Sequence, residues 1–137
     1  MSNWAKAKVN FKDVDKEIFE EALKAMGYSI NYDDHKVDGA YNFDGSRECD
    51  CALYSIDTGK PANIGLNFEH GADDEVIVNV VGDWYNKTYN DKTFTQALRL
   101  EYSTANMTHA AAKNGYIVEQ TEMLEEYKRR IVYVKVA

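Results

Sequence analysis

The stretch Trp4-Ala5-Lys6-Ala7-Lys8-Val9-Asn10-Phe11-Lys12-Asp13-Val14-Asp15-Lys16-Glu17-Ile18-Phe19-Glu20-Glu21-Ala22-Leu23-Lys24-Ala25-Met26-Gly27 decides the fold, because its hydrophobic period changes partway along. Up to Phe11 the residues alternate. Ala5, Ala7, Val9 and Phe11 fall on one side, and Lys6, Lys8 and Asn10 on the other, which is the signature of a half-buried strand. From Val14 the apolar residues Val14, Ile18, Phe19, Ala22, Leu23 and Met26 recur at helical spacing. Asp13 is read as the N-cap, Asp15 and Glu17 suit the positive end of the helix dipole, and Gly27 suits the position just past the end.

Beyond Gly27 five strand-like segments follow. Tyr28, Ile30 and Tyr32 alternate, as do Val37, Gly39, Tyr41 and Phe43, each run ending in an Asp-rich turn. Cys49 to Ile56 and the run Ile64, Leu66, Phe68 are the next two. Glu75 to Val81 is apolar on both sides, as expected of a central or doubly covered strand. Short turns between consecutive strands imply antiparallel neighbours. A second helix is expected from about Thr93 to Asn114, with Phe94, Ala97, Leu98, Tyr102, Ala105, His109 and Ala112 inward. Two strands, Tyr116 to Thr121 and Arg130 to Val136, finish the chain. The order β-α-β5-α-β2 predicts a single α+β domain over residues 1–137, a mostly antiparallel sheet with two helices packed on it.

Composition limits the function classes. A chain of 137 residues that is 45% hydrophobic can bury a core of its own. A formal charge of -7 argues against non-specific binding to nucleic acid. The basic cluster Lys128-Arg129-Arg130 lies beside Glu125 and Glu126 and reads as a solvated hairpin end. No apolar run approaches the length of a membrane span, and the N-terminus lacks the order of a signal peptide. A cytoplasmic location is expected. Cys49 and Cys51 are read as buried strand cysteines that face the same way, poorly placed for a mutual disulfide and without the partners a metal site requires.

Catalytic signals are sparse. His35 and His70 fall in turns, and His109 reads as a hydrogen-bonded boundary residue. Gly59-Lys60 lacks phosphate-loop spacing. Asp44-Gly45-Ser46-Arg47-Glu48-Cys49-Asp50 has its glycine in the wrong place for a calcium loop and lacks the closing Glu. Neither a cofactor nor a metal is called for. The most suggestive cluster is Gly82-Asp83-Trp84-Tyr85, where aromatic rings with an acidic neighbour at a sheet end suit a flat ligand or a partner. The plainer reading is that Trp84 plugs the core.

Several segments resemble the hypothetical chloroplast reading frame thirty-five family, also called domain of unknown function twelve fifty-seven, which occurs in bacteria, plastids and phages. They are the opening Met1-Ser2-Asn3-Trp4-Ala5-Lys6-Ala7-Lys8, the helix end Ala22-Leu23-Lys24-Ala25-Met26-Gly27-Tyr28, Val37-Asp38-Gly39-Ala40-Tyr41, Asn63-Ile64-Gly65-Leu66, and the Asp83-Trp84 step. Phe94, Gln96, Tyr102 and Gly115-Tyr116 complete the likeness. The family commonly opens with Ser-His where Asn3 stands here. The resemblance implies a fold and no established activity or cofactor.

The expected function is a non-catalytic binding or adaptor protein that acts through aromatic sheet surface, with a protein partner or small ligand. The alternative is a small-molecule or nucleotide binder, a ligand-sequestering protein or weak enzyme, which requires a pocket with convergent polar groups. Candidate contact residues are Tyr41, Asp83, Trp84, Tyr85 and Tyr102. Self-association through an exposed strand edge is compatible with either.

Overall fold

A computed structural model describes residues 2–41 and 45–136. The alternating N-terminal run is strand β1 (Trp4–Lys12), and the helical stripe is α1 (Lys16–Ala25). The helix begins later than the sequence suggests. Asp13 adopts a left-handed turn, with φ 54°, and Asp15 serves as the N-cap, its carboxylate accepting from the N–H groups of Glu17 and Ile18. Gly27, with φ 97°, ends the helix as expected.

The chain continues through β2 (Tyr28–Asn31), β3 (Lys36–Asp38), β4 (Ser46–Glu48), β5 (Cys51–Ser55), β6 (Pro61–His70) and β7 (Glu75–Asp83). The main sheet has the order β1-β7-β6-β5-β2. Every ladder in it is antiparallel, so its edge strands β1 and β2 run the same way, joined by α1 beneath the three strands between them. The second helix, α2 (Asp91–Lys113), is capped by Asn90 and Thr93, whose side chains each bond the other's backbone N–H.

Alternation sorts each strand into two faces. Val9, Phe11, Val78, Val80, Ile64, Leu66, Cys51 and Leu53 point toward the helices. They meet Ile18, Phe19, Ala22 and Leu23 of α1 and Phe94, Leu98 and Tyr102 of α2 in one core. Each Val, Leu, Ile or Phe among them taken fully out of water contributes about 1.5–3 kcal/mol, so both amphipathic helices are tied to this face.

The other face carries Trp4, Lys6, Lys8 and Asn10 of β1. The second of the five strand-like segments, Val37 to Phe43, instead supplies only β3, which pairs with β4 in a separate two-stranded flap. Phe43 and Asp44 lie outside the described residues. Val37 buries itself with Cys49 and Ala52 in a small second cluster over the sheet. Asn63, in the left-handed region at φ 61°, bends β6. Its amide donates to the carbonyls of Asp38 (2.9 Å) and Gly39 (3.3 Å) and fastens the flap.

The last two strands, β8 (Tyr116–Glu125) and β9 (Lys128–Lys135), pair only with each other and lie along α2. A two-stranded ribbon is marginal alone. This one is pinned by Arg129, which reaches Glu101 at 2.5 Å and Thr104 at 3.1 Å, and by Tyr133, whose hydroxyl lies 3.1 Å from that of Thr108. No helix among the described residues is long and apolar enough to cross a membrane.

Candidate functional site

The acidic and aromatic cluster at the end of β7 divides into two kinds of residue. Asp83 is fully buried. Its Oδ1 accepts the N–H of Asn3 at 2.7 Å and of Tyr85 at 3.2 Å, and its Oδ2 accepts the N–H of Ala40 at 2.8 Å. Burial pushes its carboxyl upward, but those backbone donors and the nearby charge of Lys87 outweigh it, and the group titrates below its ordinary value. Trp84 is 4% exposed. Its indole donates to the Ala5 carbonyl at 3.1 Å and its ring packs 5.5 Å from that of Phe94. Both residues are spent on holding the fold.

Tyr85 and Tyr41 remain at the surface, 38% and 44% exposed, with ring centroids 5.8 Å apart. Tyr102 belongs elsewhere. It is buried under α2 against Phe11 at 4.9 Å, and its hydroxyl accepts the N–H of Asp15. Phe11 is seven residues along β1 from Trp4, the register partner of Asp83, which separates the two positions by roughly 24 Å. The sequence candidates therefore form one exposed tyrosine pair and three buried residues.

The strand tyrosines also disperse. Tyr28 packs on the helix-covered side. Tyr32, just past β2, donates to Glu20 at 2.5 Å, and Tyr54 donates to Asp34 at 2.7 Å.

What sequence reading did not assemble is a groove of about 540 Å³ between the open sheet face and the flap. Its floor follows from register. Lys6 lies beside Val81, which lies beside Gly65, and Lys8 lies beside Asn79, which lies beside Asn67. Arg47 and Glu48 of β4 form the facing wall, and Glu69 closes one side. The Arg47 guanidinium sits 4.3 Å above the Trp4 ring, a stacked arrangement that fixes an otherwise flexible side chain. Asn67 Oδ1 accepts the N–H of Asp50 at 3.0 Å, which leaves its amide nitrogen as a donor. Asn79 donates to Glu69 at 2.8 Å.

Gly65 is what allows the flap to lie so close. A Cβ there would stand 2.4 Å from Val37 Cγ2 and 2.8 Å from Cys49 Cβ. In a chain of net charge -7, Lys6, Lys8 and Arg47 converge on one concavity, and among the described residues none of the three forms an ion pair.

The two cysteines are free and buried, but they do not share a face. Cys51 enters the helix-side core and Cys49 the flap cluster, because the chain bends at Asp50 before β5 begins. Burial, followed by neighbouring acidic groups, pushes the Cys49 thiol up to about 11; burial, followed by Cys49 and Asp50, pushes that of Cys51 to about 12. His109 bonds Glu21 at 2.6 Å across the two helices, and His35 Nδ1 lies 2.8 Å from the Asp50 carbonyl. Among the described residues no three His, Cys, Asp or Glu side chains gather as a metal site would require.

The chain matches no family model, no curated protein and no solved structure.

Proposed function

We propose that this is a non-catalytic binding protein whose contact surface is the open face of the five-stranded sheet. The observation that carries this reading is the groove itself. It is a concavity of about 540 Å³, within the range of small-ligand sites, and it holds polar side chains drawn from four strands. The helix-covered face is filled with core side chains. Catalysis is a poorer fit, since the buried Asp83 is engaged by three backbone donors and the cysteines are held as thiols. Two unpaired, buried thiols also accord with a cytoplasmic location.

A second reading, docking of a protein partner, draws on the exposed Tyr41–Tyr85 pair. It stands at the end of the sheet where β1 begins, and rigid aromatic rings with polar tips are common anchors at interfaces. One experiment separates the readings. Amide chemical shifts of the isotope-labelled chain are followed against a library of small polar fragments. Shifts gathered at Lys6, Lys8, Asn67, Asn79 and Val81 support the groove, whereas shifts confined to Ala40, Tyr41 and Tyr85 or to the β8–β9 ribbon overturn it.

A further inference from the structure

We infer that the groove takes a di- or triphosphate chain, free or borne on a small organic group, an assignment that rests on the open-face reading above. The reason is the arrangement of positive charge along β1. Trp4, Lys6 and Lys8 are alternate residues of one strand, so their side chains rise on the same face at intervals of about 7 Å. Arg47 is anchored over the first of them, 4.3 Å from the Trp4 ring. Lys6 and Lys8 on the floor and Arg47, reaching from the flap wall to the Trp4 end, thus make a row of three cations spanning roughly 14 Å along β1.

Their chemistry suits phosphate. The lysines act as adjustable point charges, and the guanidinium offers a planar fork that matches two phosphate oxygens. Asn67 adds a neutral donor whose orientation the backbone of Asp50 fixes. A single carboxylate would meet only part of this row, whereas linked phosphates place several charged oxygens along it. The acidic residues of the groove do not cancel the row. Glu69 is on β6, two strands away from β1, and is occupied by the Asn79 amide. Glu48 lies on the flap wall, and neither forms an ion pair with the lysines or Arg47. Edge strands also carry lysines simply to discourage strand-to-strand association. That role requires neither the Arg47 stack nor a concavity, and it predicts a different result on mutation.

The test is calorimetric titration of the full chain with inorganic tripolyphosphate, ATP and citrate at matched ionic strength. Wild type is compared with K6Q/K8Q and with R47Q, each first shown to keep its melting transition. The inference expects saturable binding of tripolyphosphate or ATP, at least tenfold weaker in K6Q/K8Q and weaker in R47Q, and reduced by added salt. Tighter binding of ATP than of tripolyphosphate assigns an organic carrier, and the reverse order a free chain. Citrate binding as tightly as either overturns the phosphate assignment and leaves the open-face reading standing. So does the absence of phosphate binding while polar fragments still shift the groove amides. No phosphate binding together with no groove shifts overturns both. New self-association of K6Q/K8Q with phosphate binding unchanged identifies the lysines as edge protection and overturns the inference.

Discussion

The Asp83 carboxylate accepts the backbone N–H of Ala40 at 2.8 Å across 43 residues of sequence, and with its second oxygen it holds Asn3 at 2.7 Å. One side chain thereby joins the start of β1, the end of β7 and the segment that follows β3 within the flap. Replacing it by Asn supplies one acceptor where two were used and sets an N–H group against backbone donors. A loss of roughly 3 kcal/mol is expected, measurable by urea denaturation. The pH dependence follows from the direction of the shift. A carboxyl that titrates below its ordinary 3.8 contributes in full above that range and ceases to contribute as pH falls through the lowered value. Below pH 4, wild type should lose stability more steeply than D83N, and parallel acid titrations of the two would contradict this.

Trp84 and Tyr85 are sequence neighbours with opposite duties. Truncation of the buried Trp84 to Ala should cost about 3–5 kcal/mol. The same change at the exposed Tyr85 should stay within about 0.5 kcal/mol. Thermal denaturation of both variants decides the matter, and equal losses would show that the surface tyrosine pair is structural.

Gly65 controls the flap. An added methyl would meet Val37 at 2.4 Å, so Gly65→Ala should destabilise by about 1–3 kcal/mol and displace Arg47 and Glu48 from the groove wall. Loss of groove-directed fragment shifts in a variant that remains folded is the expected signature.

Lys6 and Lys8 have no ion-pair partners among the described residues, so neutralising them removes no attraction within the fold. K6Q/K8Q should melt within about 0.5 kcal/mol of wild type, or higher, as binding-site residues often permit. A clear loss of stability would mean that the pair supports the fold.

The thiols of Cys49 and Cys51, raised to about 11 and about 12, should react with a thiol reagent at pH 8 only on the unfolding timescale, because the thiolate is the reactive form. Rapid labelling of either in native protein would contradict their burial.

The helix-covered half of the molecule was legible in the sequence because period alone determines it. Val9, Phe11, Leu23 and Leu98 fall on apolar faces by spacing, and all meet in one core. The groove was not legible, although half its signal is present. Lys6 and Lys8 visibly share the polar side of the first strand, but nothing local says that Asn79, Asn67 and Arg47 will be brought beside them. That depends on β7 returning next to β1 and on the flap folding over Gly65, both long-range pairings. The same limit explains Trp84 and Tyr102. Aromatic residues mark core and interface alike, and only packing separates the two uses. Val132, Val134 and Val136 mark the last strand by alternation, whereas the separation of the C-terminal pair from the sheet depends on contacts with α2.

The most direct test of the account is a co-crystal structure of the chain with tripolyphosphate. It should show the phosphate chain over β1, with oxygens within hydrogen-bond distance of Lys6, Lys8 and Arg47. A groove occupied by water alone at saturating ligand, or phosphate bound only along the β8–β9 ribbon, would contradict it.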